Sequence, residues 1–323
     1  MMFVAMLFYG MFRLCVPAQD TVQYDLIIGS YTQKGNPGIE IFKVGAEKKL
    51  VTKSYDINNN NASFIAFSPD RKFMYAVHEE NAGPAFLSAY QKNNIGKYEL
   101  LNTESVIGGA ACHVNYNPST ETVYVANYMG GSLSVFKTFH GKLLPVAQHI
   151  EYKGKGVNLS RQEKAHAHNV MFSPDHHYLY VSDLGTDKIH RHKIYADGTV
   201  DERSYDIEIS SGNGPRHLVF NEDGSKAYLI NELKGVIDVF NVNEKGFIKI
   251  QTIVSDTAQT KTDKGSADIH FSPDGKWLIS SNRVTSNDLA VFSVLPDGTL
   301  KQMGHQAVGK RPRNFCFTPD GKY

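Results

Sequence analysis

A chain of 323 residues with a formal net charge of +1, 21% charged and 41% hydrophobic, is long enough to bury a large core. Its near-neutral balance excludes a polycation that tracks nucleic acid and an acidic disordered chain, so recognition has to be local. Three cysteines without paired spacing exclude a disulfide scaffold and a cysteine-based metal centre.

Residues 1–18 read as an export signal. Met1 to Phe12 is almost wholly apolar, Arg13 interrupts it, and Val16-Pro17-Ala18 offers small residues at the expected cleavage spacing. The apolar run is too short for a membrane span, so the mature chain, residues 19–323, is expected to lack one and to be periplasmic. The basic n-region is missing, and a misassigned start leaves the alternative of a cytoplasmic protein.

Tyr24 to Gly29, Gly38 to Val44 and Leu50 to Ile57 then read as three strands. Six segments follow that share one pattern, an aromatic, a small polar residue and Pro-Asp-Gly-Lys or a variant of it. Their leading aromatics are Phe67, Tyr116, Phe172, Phe220, Phe271 and Phe317, 46 to 56 residues apart. That period fits one four-stranded unit copied along the chain, with Pro and Gly supplying the turn conformations. Each turn precedes a β-rich run, such as Phe73 to Val77 or Trp277 to Ser281, and no segment keeps a helical period. The expected fold is all-β, a β-propeller of four-stranded antiparallel blades. The three strands before the first repeat lack an innermost partner, and the chain stops at Tyr323 just after the last turn. The expectation is a seven-bladed ring truncated at the C-terminus by roughly 45–60 residues, with five complete blades and blades 1 and 7 incomplete.

Equivalent positions in a repeat point the same way. With the aromatic as zero, position +11 holds His78, Asn127, Asp183, Asn231 and Asn282, and position +12 holds Glu79, Tyr128, Leu184, Glu232 and Arg283. Position −4 holds Ser63, Cys112, His168, Arg216, Ala267 and Arg313; position −3 holds Phe64, His113, Asn169, His217, Asp268 and Asn314. Asn and Asp at +11 fit turn caps. No such rule demands Glu or Arg at +12, and buried charges must be paired, so these residues are expected to converge at the mouth of the central channel. The longest gap between repeats holds Arg161-Gln162-Glu163-Lys164-Ala165-His166-Ala167-His168. His166-x-His168 could pair on a metal, but no third ligand accompanies it at a recognisable spacing, and no metal is expected. His176-His177 and the His190 to His192 stretch read as solvated turn and strand surface.

From Tyr24 to Tyr323 the chain resembles the lactonase family of seven-bladed propellers, the bacterial 6-phosphogluconolactonase type, related to fungal carboxy-muconate lactonising enzymes. The resemblance is carried by Ile28-Gly29-Ser30-Tyr31-Thr32, Arg161-Gln162-Glu163 with His166-Ala167-His168, Asp183-Leu184-Gly185-x-Asp187, Gly214-Pro215-Arg216-His217, Asn231-Glu232-Leu233, Ala267-Asp268-Ile269-His270, Ser281-Asn282-Arg283 and Arg311-Pro312-Arg313-Asn314-Phe315. It implies a carboxylic ester hydrolase without cofactor or metal, in which His168, Glu232, Arg216 and Arg283 are catalytic. Lactone hydrolysis needs a base for water, cations for the oxyanion and a proton for the leaving ring oxygen. Glu232 or His168 is then the base, with Arg216 and Arg283 on the anionic substrate. His166, Arg313, Glu79, Asp268 and His217 are the expected substrate-binding residues. The partner is a small-molecule lactone, the protein a monomer that binds no nucleic acid. The alternatives are an unphosphorylated lactone, a muconate-type lactonising activity, or a non-enzymatic binding propeller with a broad apolar top face.

Overall fold

The Ser-Pro-Asp turns nucleate the blades. In blade 2 the Ser68 hydroxyl donates to Asp70 Oδ1 at 2.5 Å while accepting the Phe73 N–H at 2.9 Å, which closes the loop between the first two strands. Ser173 with Tyr178 and Ser272 with Trp277 repeat the closure at 3.0 Å each. A computed structural model describes residues 22–32, 35–45, 51–81, 83–244, 246–259 and 263–321. The export-signal reading for residues 1–18 lies outside the described residues.

Six antiparallel sheets follow one another in chain order. Blade 1 has three strands, Val22–Gly29, Gly38–Gly45 and Val51–Asn58. Blades 2 to 6 have four each, and their first strands are Ile65–Phe67, Ala111–Asn117, Ala167–Phe172, Pro215–Phe220 and Ser266–Phe271. These first strands neighbour one another around the axis. Five complete blades and a three-stranded blade 1 therefore agree with the periodicity. Residues 308–321 form no strand among the described residues, whereas the pattern predicted an inner strand there. Extended backbone becomes a strand only when a neighbour pairs its N–H and C=O groups; Asn314 and Phe315 touch the first strand of blade 6 through Asp268 and His270, but these are side-chain contacts and no described strand pairs its backbone with the segment.

Apolar layers fill the gaps between blades. Tyr75, Val77, Leu87, Val114, Val125 and Phe136 form one such layer between blades 2 and 3, all of them fully or almost fully buried. Polar clasps supplement it with a two-blade period. Gln148 in blade 3 takes the Val200 N–H at 2.9 Å and donates to the Val200 carbonyl at 2.8 Å in blade 4. Gln251 in blade 5 does the same to Leu300 in blade 6 at 2.7 and 2.8 Å. Tyr124 and Tyr228 add matching bonds to the carbonyls of Gly198 and Gly298, each at 2.7 Å.

One reading of the repeat surface is corrected. His190 and His192, expected on solvated strand surface, are buried. Alternation along Lys188–Lys193 turns both inward, where polar partners offset their desolvation. His190 lies between Asp206 at 2.8 Å and Asp183 at 3.3 Å, and the Tyr152 ring stacks on it at 4.0 Å. His192 bonds the Tyr152 hydroxyl and the Asp201 carbonyl. His177 is exposed as expected, and half-buried His176 stacks on Phe172.

Candidate functional site

Two repeated backbone devices position the side chains of the site. The first is a hydrogen bond from each +12 residue to the carbonyl at position −6. Glu79 N–H donates to Asn61, Tyr128 to Ala110, Leu184 to His166, Glu232 to Gly214 and Arg283 to Gly265, at 2.8 to 3.3 Å. The second is a register shift in the first strand of blades 3 to 6. It falls between Ala111 and His113, Ala167 and Asn169, Pro215 and His217, and Ser266 and Ile269. A bulge re-aims the extra residue, here Cys112, His168 and Arg216, away from simple alternation.

Glu232 sits where three arginines meet. Its Oε2 accepts Arg216 Nε at 2.9 Å and Arg283 Nη2 at 2.7 Å, while Oε1 accepts Arg161 Nη2 at 2.7 Å. Burial works to raise the carboxyl pKa, but the charges of Arg283, Arg216 and Arg161 prevail and lower it to about 2. Arg216 is 1% exposed; its Nη1 also donates to the Ala267 carbonyl at 2.5 Å. Arg283 Nε is buried without a hydrogen-bond partner among the described residues.

His168 lies beside this cluster. Its ring meets Tyr128 edge-on at 5.5 Å and His217 at 5.4 Å, and its Nδ1 is buried with no partner among the described residues. Burial first, then the positive charges of Arg216, His217, Arg313 and Arg283, hold its pKa well below the ordinary histidine value. The imidazole is therefore held in its neutral form. His166 takes a different position: it stacks on Tyr128 at 4.4 Å and pairs with Glu163 at 3.1 Å.

A second ionic group comes from blades 1 and 2 and the last segment. Arg313 lies 3.5 Å from Glu79 and 5.6 Å from the Tyr31 ring centroid, and the Tyr31 hydroxyl donates to Glu79 at 2.8 Å. Position −3 forms a further connected layer. His217 Nδ1 meets Asp268 Oδ1 at 2.8 Å and its Nε2 faces Arg216 Nη1 at 3.3 Å; Asp268 also accepts from Asn314 and bonds His270. His113 bonds Asn169 at 2.9 Å and packs against the Phe64 ring at a tilt. His217 and Asp268 are almost wholly buried, so their visible work is to hold Arg216 from below.

The structure thus gathers His168, Glu232, Arg216 and Arg283 in one cluster, with His217 and Asp268 packed behind it. His166 reaches the cluster through Tyr128, while Glu79 and Arg313 form their own pair. The +11 residues Asn127, Asp183, Asn231 and Asn282 are buried and bonded to their own blade or its flanking loops, as the cap reading expects. Arg161, Tyr128 and Tyr31 were not among the expected site residues. Tyr128 stood at +12 in the repeat, and Arg161 in the longest gap, so both had a positional signal. Tyr31 had none from the repeat phase, because blade 1 has no aromatic zero. No group of three or more His, Cys, Asp or Glu side chains among the described residues is arranged to hold a metal ion. Cys112 is buried and Cys316 exposed, and both are free thiols.

Comparison with known proteins follows the same outline. The family model for a lactonase with a 7-bladed β-propeller matches residues 25–323. A 6-phosphogluconolactonase of Formosa agariphila is 32% identical over 92% of this chain and 87% of its own length. One from Bacillus subtilis is 32% identical over 90% and 84%. Among solved structures, the periplasmic gluconolactonase of Pseudomonas aeruginosa superposes with a TM-score of 0.85 at 28% identity, covering 93% of this chain and 87% of that one.

Proposed function

The chain belongs to the lactonase family of seven-bladed β-propellers, carboxylic ester hydrolases, and on that premise we propose that it opens a sugar lactone, 6-phosphogluconolactone or a related aldonolactone. The observation that carries the reading is His168, a buried neutral imidazole with an unpartnered Nδ1 set among arginines.

In the proposed reaction His168 takes a proton from water as the water oxygen bonds to the lactone carbonyl carbon. The carbonyl oxygen becomes an oxyanion, stabilised by the positive charge of Arg216 and Arg283. The ring C–O bond then breaks, and the proton on His168 passes to the departing ring oxygen. Arg216 and Arg283 keep their aim because Glu232, held ionised, anchors both on one oxygen. Of the two candidate bases His168 is preferred on geometry: both Glu232 oxygens are taken up by three guanidinium groups and serve as their anchor, whereas His168 Nδ1 has no partner among the described residues.

The test is turnover of the lactone by His168→Asn and Glu232→Gln. His168→Asn is expected to lower kcat by about 10²-fold or more. Turnover within about threefold of the parent would remove His168 from the role. The likeness to a periplasmic gluconolactonase favours a second reading, an exported enzyme for an unphosphorylated lactone. Comparing 6-phosphogluconolactone with plain gluconolactone separates the two, and fractionation of cells places the protein.

A further inference from the structure

Arg161 differs from the other arginines on Glu232 in how it is carried. Arg216 comes from a paired strand and Arg283 follows one directly, whereas Arg161 sits on the strap 152–166 that joins blades 3 and 4 outside any sheet. Its side chain is 34% exposed, against 2% for Arg216 and 16% for Arg283. Among the described residues it is the sole hydrogen-bond partner of Glu232 Oε1, so withdrawing it frees that oxygen and leaves the Oε2 contacts intact. Its Nη2 also lies 3.4 Å from the Tyr128 hydroxyl, beside His168.

The strap is tied down at one residue. Asn158 accepts the N–H groups of Arg161 and Gln162 on its carbonyl, at 3.0 and 2.6 Å, and so forms the turn that presents Arg161. Its side-chain Oδ1 accepts from Ser160, and its Nδ2 donates to both oxygens of Asp263 at 3.0 Å. Asp263 belongs to the connection between blades 5 and 6, 105 residues away in sequence. The Asn158–Asp263 bond therefore fixes the tip of the strap across blade 5, while Gln162, bonded to the Leu184 carbonyl, fixes its base.

We propose that Arg161 determines specificity for an anionic substrate: it exchanges its contact with Glu232 Oε1 for an anionic group on the incoming ligand, and Asn158 with Asp263 are the positioning residues that hold it within reach. The proposal rests on the reading that an anionic lactone enters this pocket. A planar guanidinium suits phosphate or carboxylate, and its departure costs Glu232 one of three partners.

Titration with inorganic phosphate tests this without any lactone. Arg161→Met is expected to weaken phosphate binding by about 10- to 100-fold, since charge-assisted hydrogen bonds carry that much. Asn158→Ala and Asp263→Ala should weaken it less, and Asp263→Asn, which keeps an acceptor for Nδ2, should stay near the parent. With lactones, Arg161→Met should raise KM for 6-phosphogluconolactone by a larger factor than KM for plain gluconolactone, and an equal change in both would count against a specificity role. Arg161→Lys, which keeps the charge, should fall between. Phosphate binding by Arg161→Met as tight as in the parent, or no phosphate binding by the parent, overturns the proposal. Failure of the parent to turn over either lactone sinks the functional reading instead, and the phosphate titration still decides this one.

Discussion

Glu232 and His168 have both lost solvent, and their charge states are set in opposite ways. For the carboxyl, burial favours the neutral form and three arginines outweigh it; for the imidazole, burial and the same arginines act together against the charged form. Neither group then titrates where enzymes are usually assayed. The plot of kcat/KM against pH for lactone opening is accordingly expected to show no acid limb near the ordinary histidine value, because His168 is neutral and Glu232 ionised there. An acid limb with a midpoint near the ordinary histidine value of about 6.5 would show that His168 is protonated in the free enzyme and that the arginines do not face it. Substrate instability is separated from enzyme ionisation by timing the spontaneous hydrolysis at each pH.

At the scale of the element, the first strand and the loop after the second carry the site, and glycine conformation sets where the loop goes. Gly214 has φ of +67°, its carbonyl accepts the Glu232 N–H, and a Cβ there would lie 2.5 Å from Leu233 Cγ. Gly275 has almost the same φ, +68°, yet nothing lies within 4 Å of an added Cβ. Alanine should cost each position about 1–2 kcal/mol for left-handed backbone, and Gly214→Ala should additionally displace Glu232. Gly214→Ala is therefore expected to lose about tenfold or more in kcat/KM, while Gly275→Ala lowers Tm and leaves turnover alone. Equal turnover in the two variants would mean the loop does not set the aim of Glu232. These elements also show what was legible in advance. The spacing of Pro-Asp turns gave blade boundaries, and phase gave Glu232, Arg283, Arg216 and His168 as neighbours in space. Phase could not reveal the bulges, because a register shift has no residue type of its own, and alternation alone would have put positions −4 and −3 on opposite faces. Nor could it find Arg161, whose place depends on a strap folding across blade 5 to Asp263, or the burial of His190, whose partners come from two other strands and the Tyr152 loop.

Across the whole molecule the same burial that readies the site couples stability to pH. His78, His192 and His217 are desolvated so that each pKa falls to about 4, and those of His113 and His168 are also held well below the ordinary value. An unfolded chain protonates these rings near pH 6.5, the folded protein only at lower pH, so their contribution is complete above about 6.5 and is lost as pH falls toward 4. His190 has the opposite sign. Burial opposes its protonation, but hydrogen bonds to Asp183 and Asp206 overcome this and raise its pKa, so its contribution is complete below about 6.5 and fades as pH rises through the folded value. The carboxylates of Glu232, Asp206 and Asp268 are held below their ordinary range and add a further loss only below about pH 4. Six lowered histidines, His149 among them, against His190 and His270, the latter raised against its burial by Asp268, decide the balance: Tm should hold near neutrality and fall steadily from pH 6.5 to 4, by an amount on the order of several kcal/mol in unfolding free energy. Calorimetry across pH 4 to 9 measures it. A Tm level down to pH 4.5 would contradict neutral burial of these rings, and His190→Asn should lessen the decline on the alkaline side while leaving the acid slope in place.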